Sequence, residues 1–316
     1  MTTVAIMLCA FVLDALVGWP AWLYDRIGHP VSWLGKLISR LDKSLNRTEW
    51  HRSTRKVMGI VAALFVILGS IFLGRFVQSA FGEGVLGFIL SVLVVWPLIA
   101  VNSMYTHVED VAVPLEQNQL TEARAAVSLI VGRNPNVMDS PAIGRAAIES
   151  LAENTSDGIV APIFWGVIFG IPGIFAYKAI NTLDSMLGYK TPKHFDFGWA
   201  SAKIDDVANF FPARLTGWLI ALASGNRKTA LAVINIDARK HRSPNAGWPE
   251  GAMAGALGVR LSGPREYETG LTDDPWLNEN DRDVEPKDVN QALAVFKQTM
   301  FGLAAILAVL TIFLGI

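Results

Sequence analysis

Three carboxylates spaced four residues apart are the first side chains in this chain with obvious chemical use. They are Glu149, Glu153 and Asp157 in ESLAENTSDGIVAPIFW, with Asn154 and Ser156 between them. On an α-helix, positions i, i+4 and i+8 share a face, so the acids converge with Asn154 beside them. Like charges at that spacing repel, and burying them uncompensated costs several kcal/mol. A divalent cation relieves both costs, and Mg²⁺ is the hard cation that oxygen ligands suit. A wet acidic face on a cytoplasmic helix explains the same residues about as well.

Three other stretches carry similar groups. In YKAINTLDSMLGY (residues 177–189), Asn181, Asp184 and Ser185 fall within a turn of one another, after Lys178. They read either as a capped helix start or as a carboxylate, amide and hydroxyl set for metal or phosphate. KIDDVANFFPAR (203–214) offers Lys203, Asp205, Asp206, Asn209 and Arg214. Adjacent aspartates can hold phosphate-bound Mg²⁺, although a surface acidic pair is the commoner explanation. HRSPNAGWPEGAMAGALGVRLSGP (241–264) contains Ser243, Asn245 and Glu250 in and after a Gly-containing turn whose N–H groups could cradle an anion. Its small residues, 252–258, permit close backbone approach. His29 before Pro30 reads as a turn residue, whereas Asp14, inside an apolar segment, is a functional candidate by its depth.

Much chemistry is excluded. Cys9 is the only cysteine, so no internal disulfide or thiolate metal site exists. No Ser-His-Asp signal, GxxxxGK[ST] loop or dinucleotide glycine fingerprint is present. A net charge of −1 gives no field for nucleic acid.

The elements that hold these residues are membrane segments. Of 316 residues, 52% are hydrophobic and 17% charged, with mean hydropathy +0.36. Soluble domains carry about 25% charged residues, so the chain reads as an all-α polytopic membrane helix bundle. Spans are expected at residues 4–24, 57–76, 85–105 and 298–316. The first lacks a basic leader and cleavage site, so it reads as a retained span. Residues 158–180 are interrupted by Gly170-Ile-Pro-Gly173 and read as a broken or re-entrant helix. Residues 212–224 are too short to cross. Residues 25–56 carry eight Lys/Arg against three acids, and 77–84 carry no Lys or Arg, which puts the first loop in the cytoplasm. The polar segments 25–56, 106–157 and 226–297 are then cytoplasmic parts of one membrane domain, 1–316. Within 107–145, helices are expected to break at Pro114, Pro135 and Pro141, with Thr121 as a cap. Residues 264–288 hold nine acids and three basic residues and read as a solvated loop.

Taken together, the four polar stretches, in that order, resemble the adenosylcobinamide-phosphate synthases, the membrane amide synthases of cobalamin biosynthesis. LDALVGWPAWLYDRIGHPVSWLGKLI near the N-terminus is similar too, and the resemblance runs from about Asp14 to Pro264. One departure stands out: the family usually reads Gly-Asp-Pro where this chain has Gly18-Trp19-Pro20. The resemblance implies ATP-dependent joining of aminopropanol, or its phosphate, to the free propionate of the corrinoid adenosylcobyric acid. It implies Mg²⁺ and ATP, a bilayer, other membrane enzymes of cobalamin assembly as partners, and an inner-membrane protein whose site faces the cytoplasm. Carried onto this sequence, Glu149, Glu153, Asp157, Asp184, Asp205 and Asp206 are the catalytic acids, and all but Glu149 are metal ligands. Asn154, Lys178, Asn181, Ser185, Lys203, Asn209, Arg214, Ser243, Asn245 and Glu250 are expected to bind substrate or ATP. The alternatives are a Mg²⁺-dependent prenyl or phosphoalcohol transferase, which needs paired Asp motifs, and a transporter using the broken helix.

Overall fold

A computed structural model describes residues 2–132, 134–189, 191–267 and 270–314. Its helices run as α1 (Thr3–Val17), α2 (Ala21–Ile27), α3 (Pro30–Leu45), α4 (Arg52–Phe81) and α5 (Val85–Val95). A 3₁₀ turn (Trp96–Leu98) leads to α6 (Val101–Glu116), α7 (Leu120–Val127) and α8 (Ser140–Asn154). A π turn (Thr155–Val160) precedes α9 (Ala161–Phe169), α10 (Ile171–Leu187) and α11 (Trp199–Ala208). Then come α12 (Phe210–Ala223), α13 (Arg227–Asp237) and α14 (Gly247–Leu257). Four short strands, β1 (Leu261–Ser262), β2 (Arg265–Tyr267), β3 (Gly270–Thr272) and β4 (Trp276–Leu277), lie before α15 (Pro286–Leu314). β1 pairs with β4 and β2 with β3, both antiparallel. The expected all-α class is what the chain adopts. Among the described residues, three stretches, Arg52–Phe81, Val85–Glu116 and Pro286–Leu314, are long and apolar enough to cross a membrane.

The chain divides into two compact units. The first comprises Met1–Ala100, Ala161–Asn209 and Leu307–Ile316; the second comprises Val101–Val160 and Phe210–Ile306. In the first unit Ile38 of α3, Ala62, Ala63 and Val66 of α4, Ala179, Leu183 and Leu187 of α10, and Phe197 form a buried apolar cluster. In the second unit every residue of α14 but Trp248 is buried. A Cβ at Gly255 would lie 2.7 Å from the Ala230 backbone, so the small residues of α14 are explained by its packing on α13.

Several segment boundaries differ from expectation. The first span, expected at 4–24, stops at Val17: Gly18 adopts φ +61° and its N–H closes the helix on the Asp14 carbonyl at 2.8 Å. At 15 residues α1 covers about 22 Å, short of the ~30 Å hydrocarbon layer. Ala21–Leu45 then leaves at 107° to α1. The third span, expected at 85–105, is interrupted by the 3₁₀ turn at Pro97 and an extended Ile99. The second and fourth are longer than expected, because polar residues continue the helices at Arg52 and Pro286. Residues 315–316 of the expected last span lie outside the described residues.

The break at Gly170-Ile-Pro-Gly173 is present. Gly170 takes φ +70°, and Gln78 of α4 accepts the orphan N–H of Ile171 at 3.1 Å. A Cβ at Gly173 would stand 2.1 Å from the Trp165 carbonyl oxygen, so α10 folds back tightly against α9. The short segment expected at 212–224 forms the 14-residue α12.

Pro114 sits inside α6 and does not end it. Thr121 is the second residue of α7, whose N-cap is Gln119; Asp139 caps α8 by accepting from Ala142 N–H. Part of the segment expected to be a solvated loop, residues 277–288, packs against the protein. Leu277, Val284 and Asp288 are buried, and Arg282 grips Asp288 through both nitrogens at 2.6 and 2.8 Å. The density of charge there does not make the segment solvated, because part of that charge is internally paired.

Candidate functional site

In the first unit, α10 and α11 carry two of the polar stretches. Gly188 ends α10 by donating to the Asp184 carbonyl at 2.7 Å. A Cβ at Gly198 would meet the Leu187 carbonyl oxygen at 1.7 Å, so α11 starts hard against the end of α10. This arrangement brings Asp184 into electrostatic contact with Asp206. Burial pushes the Asp184 carboxyl up to about 6, and the Asp206 charge adds to the rise. Asp206 in turn accepts from Lys203 Nζ at 2.8 Å. Asp205 is buried, and its Oδ2 accepts from Asn209 Nδ2 at 3.0 Å, while Tyr177 donates to Asn209 Oδ1 at 2.8 Å. Asp205 and Asn209 are thus held with Tyr177 in a hydrogen-bonded chain. Lys178 and Asn181 are half-buried one to two turns before Asp184, whereas Ser185 donates to its own helix at the Asn181 carbonyl.

Asp14 is buried in α1. Trp19, which stands where Gly-Asp-Pro would place an acid, packs edge-on against His29 and tilted against Trp96, each at 5.4 Å. Burial, then the Lys178 charge, hold the His29 imidazole below its usual range. An indole fills this corner, so residue 19 has no acid role.

In the second unit, α8 and the segment before α14 enclose a cavity of about 240 Å³. Glu149, Ser150, Glu153, Asn154, His241 and Glu250 line it, with Ser243 and Arg242 at one side. Two of the sequence stretches therefore meet here. Their members do unequal work. Glu149 is 3% exposed and accepts from the Ser262 backbone N–H at 2.7 Å. Ser262 takes φ +63° and Gly263 φ +75°, so the carboxylate clamps a strained corner. Asn154 Nδ2 donates to the Ser150 carbonyl at 2.9 Å. Asp157 falls in the π turn and does not line the cavity. The shift from i+4 to i+5 bonding there breaks the one-face spacing expected of Glu149, Glu153 and Asp157.

The turn at 243–247 is not an anion cradle. The N–H groups of Asn245 and Ala246 donate to Ser243 Oγ, each at 3.2 Å, and that of Ser243 to His241 Nδ1 at 3.0 Å. Arg214 lies 3.6 Å from the Phe210 ring centroid and 4.5 Å from that of Trp248, with Asn245 Oδ1 at 3.5 Å. It is a stacked cation beside this turn. His241, which sequence reasoning passed over, faces Glu250 Oε2 through Nε2 at 3.6 Å. Its Nδ1 also lies 3.3 Å from the Ser243 carbonyl oxygen. Its only signal in the sequence was its place at the head of the fourth stretch.

Among the described residues, no group of three or more His, Cys, Asp or Glu side chains is arranged to hold a metal by itself.

The CobD/Cbib protein family matches residues 7–296 of the chain. The chain belongs to this family. The "Cobalamin biosynthesis protein CobD" of Rhodobacter capsulatus is 50% identical over 312 residues, covering 99% of this chain and 98% of that protein. The Rhizobium meliloti protein of the same name is 46% identical over 92% of this chain and 91% of its own length. That of Brucella suis is 45% identical over 97% of each. No solved structure matches. Membership in the CobD/Cbib family gives the chain a role in cobalamin biosynthesis. All four polar stretches fall inside the matched region.

Proposed function

We propose that the chain is an ATP-dependent carbon–nitrogen ligase, joining (R)-1-amino-2-propanol or its O-phosphate to the free propionate of adenosylcobyric acid. The observation that carries the reading is the alignment, almost end to end, with cobalamin-biosynthesis relatives, in a chain whose Asp184 feels the charge of Asp206. A carboxylate does not condense with an amine unaided. Transfer of the γ-phosphoryl group to a propionate oxygen releases ADP and leaves an acyl phosphate. Amine attack on its carbonyl then forms the amide, expels phosphate and surrenders a proton.

The acids fit a Mg²⁺ that arrives with phosphate. Such an ion keeps waters and takes phosphate oxygens, so it needs only one or two carboxylates. Two neighbouring carboxylates, one pushed up to about 6 by burial and its neighbour, are strained in the way a cation relieves. Asp184 and Asp206 would hold the ion, which supplies charge neutralisation for the transferring phosphoryl group. Lys203 fixes Asp206, and the Tyr177–Asn209–Asp205 chain fixes the neighbouring carboxylate. Lys178 meets anionic substrate groups. The reading puts the protein in the inner membrane, and the basic first loop supports a cytoplasmic face for its site.

The test uses the full chain in nanodiscs with adenosylcobyric acid, aminopropanol phosphate and Mg-ATP. One amide formed per ATP consumed is the expected result. ATP-independent turnover of a prenyl diphosphate, with no amide, contradicts the reading.

A further inference from the structure

We infer that the helix pair α2–α3 is an in-plane strap, docked on the headgroups of an anionic bilayer leaflet. α1 is too short to cross and the chain turns 107° after it. With α1 along the membrane normal, Ala21–Leu45 runs close to the membrane plane. α3 cannot itself be a span, since its 16 residues include Lys36, Arg40, Asp42 and Lys43.

The residues of α3 sort into three stripes at helical spacing. Leu34, Ile38, Leu41 and Leu45 face the protein, with Ile38 fully buried. Trp33 and Leu37, one turn apart, point outward and are 50% and 37% exposed. Lys36, Arg40 and Lys43 are exposed on the adjoining stripe. α2 repeats the pattern with Trp22, 60% exposed, beside Arg26, whose guanidinium lies 5.9 Å from the ring centroid. Trp33 Nε1 donates to the Ile27 carbonyl at 2.7 Å, so its polar atom is satisfied while the ring face stays outside.

Exposed tryptophans, one of them with its N–H already satisfied, next to a row of long cations, suit the boundary between acyl chains and headgroups. Charge selects the partner. The strap exposes Arg26, Lys36, Arg40 and Lys43 against one exposed acid, Asp25. Asp42 is withdrawn from the surface into a cluster with Asn46, Lys193 and His194. Juxtamembrane basic side chains of this kind are attracted by anionic lipid and weakened by salt.

The test places a fluorophore at position 37 of the full chain, as L37C in a C9S background, in nanodiscs of phosphatidylcholine alone or with 30% phosphatidylglycerol. Quenching by a doxyl-labelled lipid is expected to exceed quenching by aqueous iodide about threefold in the anionic discs. The excess falls about twofold in phosphatidylcholine, and 1 M salt abolishes the difference between lipids. Iodide-dominated quenching places the strap in water, protection from both quenchers places a protein there, and equal lipid quenching in both discs removes the anionic preference. Each overturns the inference. The unlabelled chain gives an independent reading: trypsin cleavage at Lys36, Arg40 and Lys43 slows several-fold in anionic discs, and equal rates contradict it.

Discussion

Asp184 and Glu149 show how differently two acids from similar-looking stretches are used. The carboxyl of Asp184 titrates at about 6 in the folded chain and near its ordinary value when unfolded. The folded state therefore binds more protons between these values, and stability falls as pH rises through about 6. Asp184→Asn is expected to raise the thermal midpoint at pH 8, with the gain disappearing as pH approaches 4. Mg²⁺ should raise the wild-type midpoint at pH 8 and do little for the variant. A variant that is no more stable than wild type at pH 8, or one that responds equally to Mg²⁺, contradicts the assignment. Glu149 answers to a different measurement. Its bond to the Ser262 N–H makes it a clamp, so Glu149→Ala should destabilise by about 1–3 kcal/mol. Glu149→Gln retains an acceptor oxygen and should lose much less. Chemical denaturation distinguishes these outcomes from equal losses, which would mean that the charge and not the bond matters.

At the level of elements, the sequence signalled kinds of structure better than their limits. The four-motif order and the break at Gly170 could be read because glycine and proline punctuate apolar runs unambiguously. The early end of α1 could not, because Gly18 looks no different from a tolerated helix glycine until its φ is known. The π turn was also hidden: TSDGIV reads as ordinary helix, and only the hydrogen-bond spacing reveals the extra residue. That spacing removed Asp157 from the face it was expected to share. The α9–α10 hairpin gives a direct test of close packing. Gly173→Ala puts a methyl 2.1 Å from the Trp165 carbonyl and should cost several kcal/mol. Gly69→Ala in α4 meets nothing within 4 Å and should be neutral or stabilising by up to ~1 kcal/mol. Comparable thermal midpoints for the two variants would contradict the hairpin geometry.

For the whole molecule, composition announced a membrane protein and the long apolar helices agree with it. Chemistry was legible as residue types but not as assignments. Of the acids chosen from spacing, Asp184 and Asp206 are brought together, Glu149 serves a backbone corner, and Asp205 is tied to Asn209. His241 escaped notice because one histidine in a polar stretch carries no pattern, and its relation to Glu250 depends on how the chain folds before α14. The account as a whole claims that ATP activates a corrinoid carboxylate for attack by an amine. The most direct measurement uses adenosylcobyric acid labelled with ¹⁸O in the free propionate, turned over by the full chain in nanodiscs with Mg-ATP and aminopropanol phosphate. The account requires one ¹⁸O in the inorganic phosphate released with each amide. Amide formation with no label in phosphate, or label in AMP, would contradict it.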